Sequence, residues 1–311
     1  MSRRMNVYLG LLILILVVAP NAFTQTSTAP TGDGSSGNPY QVDSLANLYW
    51  LTQTSSAWNS YFVQTADIDA SSDSSWNAGA GFTPIGLSSF FSGTYDGNGH
   101  TISGLFISRG SGSDAGMFGS INGATLKNIK LTNVRVKVTG GGGYVGGLVA
   151  ENYSSTLDSC SVSGSVSSSG NDVGGLVGRN VNNSGPSTIS NSASSATVTG
   201  GSNAGVGGLV GDNNSSTINN CYSTGSVLDS LSGADLGGLV GMSENGSSVN
   251  NSYSTATVTG TGVSQQVGGL VGYLSTSSVV SCSVSGTVHG HDQSVGGLIG
   301  FATGTTTPVL A

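Results

Sequence analysis

Apolar residues in this chain of 311 residues fall on a grid that repeats about every thirty positions. Its marker is Gly-Gly-Leu-(Val/Ile)-(Gly/Ala), with second glycines at Gly147, Gly175, Gly208, Gly238, Gly269 and Gly297. A degenerate copy, Ala115-Gly116-Met117-Phe118-Gly119, lies one further period before Gly147. A near-even period of this length signals stacked units that bury their apolar sides on one another.

A second strand follows each marker. Alternate positions there read Cys160, Ser192, Cys221, Ser252, Cys282, then Val162, Ser194, Ser223, Ser254, Val284. The next columns are Gly164, Ala196, Gly225, Ala256, Gly286 and Val166, Val198, Val227, Val258, Val288. All are small or β-branched, so they predict the inward side of a narrow coil, with Ser, Thr, Tyr and Ala outward. Cysteine accompanies glycine and serine accompanies alanine, which reads as volume matching between adjacent coils. Before each strand lies a corner (Asp158-Ser159, Asn191, Asn219-Asn220, Asn250-Asn251, Ser281), where Asn and Asp tolerate left-handed backbone and can hydrogen-bond from coil to coil. The pattern leaves open which face Leu148 and its equivalents take.

The fold expected is all-β, a right-handed parallel β-helix with an N-terminal cap containing a short helix. No unit holds an apolar helical period, and the units are shorter than propeller blades, which need about 40 residues. Asp43 or Ser44 can cap a helix through about Thr52 that turns Leu45, Leu48 and Leu51 to the core. Tyr61-Phe62-Val63, Phe82-Thr83-Pro84-Ile85 and Phe90-Phe91 supply bulkier side chains than any later coil. The predicted organisation is a signal peptide over 1–24, a linker over 25–39, the cap over 40–110, repeats over 111–302, and a Thr-rich tail or linker over 303–311.

The termini and composition add a location. Arg3 and Arg4 precede an apolar run from Val7 to Ala19, too short to span a bilayer of roughly 30 Å. Cleavage is expected after Thr24, with Ala22 at the minus-three position; the alternative is an uncleaved anchor, the one segment through which the chain would meet a membrane. Either way the remainder should be secreted or at the cell surface, alone or as part of a longer polypeptide. Export favours disulfides, yet the only cysteines, Cys160, Cys221 and Cys282, recur at every second repeat. Two coils apart means roughly 9.6 Å, beyond the 7 Å or so a disulfide tolerates, so free buried thiols are expected. A formal charge of −7 argues against nucleic-acid binding.

Taken together, the Gly-Gly-Leu-Val-Gly repeats, the Asn-Cys/Ser-Tyr-Ser segments and the upstream blocks resemble the GLUG-motif family. Those blocks are Gly37-Asn38-Pro39-Tyr40, Tyr61 through Asp69, and Phe91 through Ile102. The resemblance covers residues 33 to 302. It implies secreted or surface-attached β-helical proteins, including adhesin-like chains and non-catalytic regions of some immunoglobulin-cleaving metallopeptidases. It implies no catalytic residues.

Candidate chemistry is sparse. Acids at Glu151, Asp158, Asp172, Asp212, Asp229, Asp235, Glu244 and Asp292 are scattered. The column Ala150 (beside Glu151), Arg179, Asp212, Met242, Tyr273, Phe301 varies so freely that it reads as a solvated loop tip. His289-Gly290-His291-Asp292 lacks the further ligand of a zinc site. Asp96-Gly97-Asn98-Gly99 lacks an acidic twelfth calcium ligand and reads as a turn. Asp67, Asp69 and Asp73 fit a strand end running into a polar loop. No metal, cofactor or catalytic residue is therefore expected. The basic residues Arg109, Lys127, Lys130, Arg135 and Lys137 cluster in sequence, and Arg135 and Lys137 alternate with Val134, Val136 and Val138. This stripe is the candidate binding site for an acidic glycan or a host or cell-surface protein. Two other readings stay open: a carbohydrate-active β-helix enzyme, favoured by a groove holding two close carboxylates, and an ice-binding solenoid, hinted at by Thr197, Thr199, Thr257 and Thr259.

Overall fold

The computed structural model describes residues 25–201, 205–229, 233–262, 266–291, 294–304 and 307–309. The expected signal peptide, Asp292 and part of the C-terminal tail lie outside the described residues. The rest is a parallel β-solenoid in which each repeat makes one coil. A typical coil contributes Val173–Gly174 to sheet I, Val177–Val181 to sheet II, Thr188–Ser190 to sheet III, and Ala193–Ser194 with Thr197–Gly200 to sheet IV. Each strand pairs in parallel with its equivalent one coil away.

The marker motif makes the bend between sheets I and II, and its composition follows from what approaches it. A Cβ on Gly174 would lie 1.9 Å from the Val177 carbonyl oxygen, because the chain doubles back within a few residues. On Gly175 it would lie 2.1 Å from Ser194 Oγ across the coil and 2.3 Å from the Gly208 carbonyl oxygen. On Gly178 it would lie 2.6 Å from the Val145 amide of a neighbouring coil. Leu148, Leu176, Leu209, Leu239 and Leu270 are fully buried, which resolves the face that the sequence left open. Each such burial contributes roughly 1.5–3 kcal/mol.

Two corners carry the remaining turns. Ser159, Asn191, Asn220, Asn251 and Ser281 all have φ between 49° and 56°, as the corner reading requires. Their side chains link coils: Asn191 Nδ2 donates to Asp158 Oδ1 at 2.7 Å and Asn220 Nδ2 to Asn191 Oδ1 at 2.6 Å. The following cysteine or serine acts at the same corner. Cys221 Sγ donates to the Asn219 carbonyl at 3.3 Å, and Ser192 Oγ donates to the Ser190 carbonyl at 2.6 Å. Thiol and hydroxyl therefore interchange as donors. All three cysteines are free and buried. The glycine of the same strand is set by close packing, since a Cβ on Gly225 would lie 1.9 Å from the Ala196 carbonyl oxygen of the adjacent coil. A second left-handed corner, at Ser154, Ser215, Asn245 and Thr276, carries no sequence signature as uniform as the first. Inside the coil, Asn152, Asn180 and Asn213 form a buried amide ladder, with Nδ2 to Oδ1 distances of 2.7 and 2.8 Å.

The helix spans Leu45–Gln53, capped by Ser44, with Leu48 and Leu51 fully buried. Trp58 Nε1 donates to the Leu51 carbonyl at 2.8 Å, and Phe62, Phe82, Phe91, Tyr95 and Phe118 fill the first coils. Sheet III runs unbroken from Tyr40–Val42 through ten strands to Thr307–Val309. The first coils thus share a sheet with the repeats. At the other end, the tail expected from 303 onward instead adds Thr307–Val309 to that sheet, opposite Ser278–Val280.

Candidate functional site

The structure divides the five predicted basic residues. Lys130, Arg135 and Lys137 stand on one strand, Lys130–Val138 of sheet IV, all exposed while Leu131, Val134, Val136 and Val138 are buried. Arg135 lies over the Phe106 ring, 5.1 Å from guanidinium carbon to centroid, which holds its charge on the outer face. It borders an open groove of about 650 Å³ with Asp69, Ser103 and Ser165.

Lys127 belongs elsewhere: it sits on sheet III, 3.0 Å from Asp96. Arg109 ends the strand beside Lys137, but it is half-buried and donates to the carbonyls of Ala80 and Phe82, both at 2.6 Å. Burial holds its pKa below the ordinary arginine value. It ties an irregular N-terminal segment to the coil. Proximity in sequence had joined Lys127, on another sheet, and Arg109, on the same sheet but engaged with backbone carbonyls, to the three exposed cations.

The acidic candidates near the N-terminus have internal partners. Asp67 accepts from the Thr101 amide at 2.8 Å, Asp69 from the Ser71 amide at 2.9 Å, and the buried Asp73 from the Phe106 amide through both oxygens at 3.1 Å. Burial pushes Asp73 up to about 7. Asp96 Oδ1 accepts from the Asn98 amide at 2.8 Å, within a turn.

The column containing Arg179 is not a solvated loop tip. Glu151 (rather than Ala150), Arg179, Asp212, Met242, Tyr273 and Phe301 are direct neighbours on the outer side of sheet II. Glu151 is 8% and Asp212 2% exposed. Arg179 Nε contacts Asp212 Oδ2 at 3.3 Å, its Nη1 donates to Tyr144 Oη at 3.2 Å, and its guanidinium lies 5.2 Å from the Tyr144 ring centroid. Residues leading into sheet I cover this face, and a groove of about 270 Å³ gathers Tyr144, Asp172, Arg179, Asp212, Met242 and Glu244. Burial, then Asp172 and Glu244, push Asp212 up to about 8, while burial pushes Asp172 up to about 6 and Asp235 up to about 7. Sequence reasoning missed this cluster, although the opposite charges at one column position in successive repeats were a usable signal.

With this geometry in place, the marker repeats can be matched to known proteins. The family model described as the GLUG motif matches residues 141–167, 169–199 and 264–288. Those three stretches match the GLUG motif. Residues between the GLUG matches keep the same coil register, including the markers at Gly208 and Gly238. The chain is 41% identical over 150 residues to halomucin of Haloquadratum walsbyi, covering 46% of this chain and 2% of halomucin. It is 34% identical over 134 residues to a provisionally named Gly-rich membrane protein of Evansella cellulosilytica, covering 42% of this chain and 15% of that protein. The matches therefore span a small part of these relatives. A Bacteroides ovatus protein provisionally described as an immunoglobulin A1 protease superimposes with a TM-score of 0.66 at 21% identity, over 88% of this chain and 86% of that one. An IgA1 protease superimposes at 0.60 and 18% identity, over 86% of this chain and 21% of that one. Both share the solenoid fold.

Proposed function

We propose that this chain is a rigid, non-enzymatic solenoid segment of a cell-surface or secreted protein, which presents sheet IV for adhesion to an acidic polymer. The observation that carries the reading is the exposed trio Lys130, Arg135 and Lys137 on one strand, in a chain of net charge −7. Cations held outward on one exposed strand attract an anionic partner, even with Asp69 bordering the same groove. The likeness to halomucin and to a Gly-rich membrane protein supports a surface location. Two polyanions, polygalacturonate and polyphosphate, test it by titration at low and at high salt. Binding weakened by salt and lost in Arg135→Ala/Lys137→Ala supports the reading, whereas equal affinity in the variant removes it.

One observation favours a second reading, a carbohydrate-active enzyme. The sheet II groove gathers Asp172, Asp212 and Glu244, and Asp212 at about 8 stays protonated at neutral pH, as a general acid must. Release of reducing ends from a polysaccharide panel, abolished by Asp212→Asn, would establish it.

A further inference from the structure

Sheet IV carries a second feature in line with the basic strand. Its first outward column runs, coil by coil, Lys130, Ser161, Ala193, Tyr222, Tyr253 and Ser283. Tyr222 and Tyr253 are 39% and 40% exposed and stack with centroids 5.0 Å apart and planes 3° from parallel. Since Tyr253 covers one face of Tyr222, the other face looks along the axis over Ala193. Ser161 and Ala193 are too small to fill the space between that ring and Lys130. Three rungs at about 4.8 Å make the interval roughly 14 Å. The result is a shallow trough with an aromatic wall at one end, a cation at the other and hydroxyls beside it from Ser165 and Thr197, which pair across adjacent coils.

We infer that this trough binds an acidic oligosaccharide lying along the solenoid axis, with one sugar ring stacked on Tyr222 and an acidic group farther along the chain paired with Lys130. This rests on the reading of sheet IV as a polyanion-binding face and names the polymer as a sugar. A pyranose ring presents an apolar C–H face that an exposed tyrosine ring covers while its hydroxyl edge stays wet. A bare polyanion has no such face and would use the cations alone. Charge complementarity selects an acidic chain over a neutral one, and the flat, hydroxyl-lined floor admits an extended polymer.

The test compares polygalacturonate, polyphosphate and neutral dextran on the whole chain, by calorimetry with tyrosine fluorescence as a second readout. Tyr222→Ala/Tyr253→Ala is expected to weaken polygalacturonate about tenfold and leave polyphosphate unchanged. Tyr222→Phe/Tyr253→Phe, which keeps the rings, should restore the sugar affinity. Polygalacturonate should also perturb the tyrosine emission, and dextran should not bind. If the alanine pair binds polygalacturonate as tightly as the parent while Arg135→Ala/Lys137→Ala loses it, the stacking site is overturned and the basic face survives. If the parent binds neither polyanion, both readings fall together.

Discussion

Arg135 and Arg179 occupy equivalent outward positions on parallel strands, one on sheet IV and one on sheet II, yet they live in different media. Arg135 rests on Phe106 at the surface, with water around it. Arg179 is wedged between Tyr144 and Asp212, beside carboxyls held largely out of solvent. The difference comes from the bend between sheets I and II. There the chain returns so tightly that the residues leading into sheet I, including Tyr144, Asp172 and Asp235, fold over the outer side of sheet II. Among the described residues, sheet IV has no such cover. A charge facing outward is inexpensive only where nothing folds back across it.

Closing that bend is the most sensitive point. Gly175→Val would force a side chain against Ser194 Oγ and the Gly208 carbonyl, so a loss of roughly 4 kcal/mol or more is expected, read as collapse of the cooperative melting transition. Next comes Arg179→Met, which strips the cation from the covered acids. Breaking a buried pair costs about 3–5 kcal/mol; with Arg179 part-exposed and Asp212 ionised only as pH rises through about 8, roughly 2–3 kcal/mol is expected by denaturant unfolding above pH 8, and less at neutral pH.

Asp212→Asn should act in the opposite direction. Asp172, Asp212 and Asp235 have folded pKa values raised from 3.8 to about 6, 8 and 7. The folded state therefore holds protons that the unfolded state releases, and these groups stabilise fully below about pH 4 and lose that contribution as pH rises toward 8. The parent's melting temperature should fall across this window. The Asn variant should flatten the slope and melt a few degrees higher at pH 8. An unchanged slope would mean the carboxyls are better solvated than their burial implies. The smallest effect belongs to sheet IV: Arg135→Ala/Lys137→Ala should leave stability within about 0.5 kcal/mol, whatever it does to binding.

The coil was legible because its determinants are periodic. Asn191, Asn220 and Asn251 announce the left-handed corner by residue type, and the columns headed by Cys160 and Val166 announce the inward face by size. Leu148 was ambiguous because the flanking glycines erase the alternation that would orient it. The acid cluster was invisible for a different reason. Asp172 lies just before sheet I and Asp212 lies on sheet II of the next coil, more than a full period later, so no spacing rule links them. The free variation of the Arg179 column looked like solvent tolerance, whereas it is opposite charges meeting on adjacent rungs. Lys127 and Arg109 erred the other way, since neighbours in sequence turned out to serve an ion pair and two backbone carbonyls.

The three corner thiols also make the molecule a gauge of its own fraying. Cys160 and Cys221 are each 1% exposed and Cys282, nearest the last coil, is 5% exposed. In a stack where each layer is held only by those above and below, unwinding that starts from the last coil must uncover Cys282 first, then Cys221, then Cys160. Successive alkylation in that order would time the unzipping of the rod two layers at a stroke.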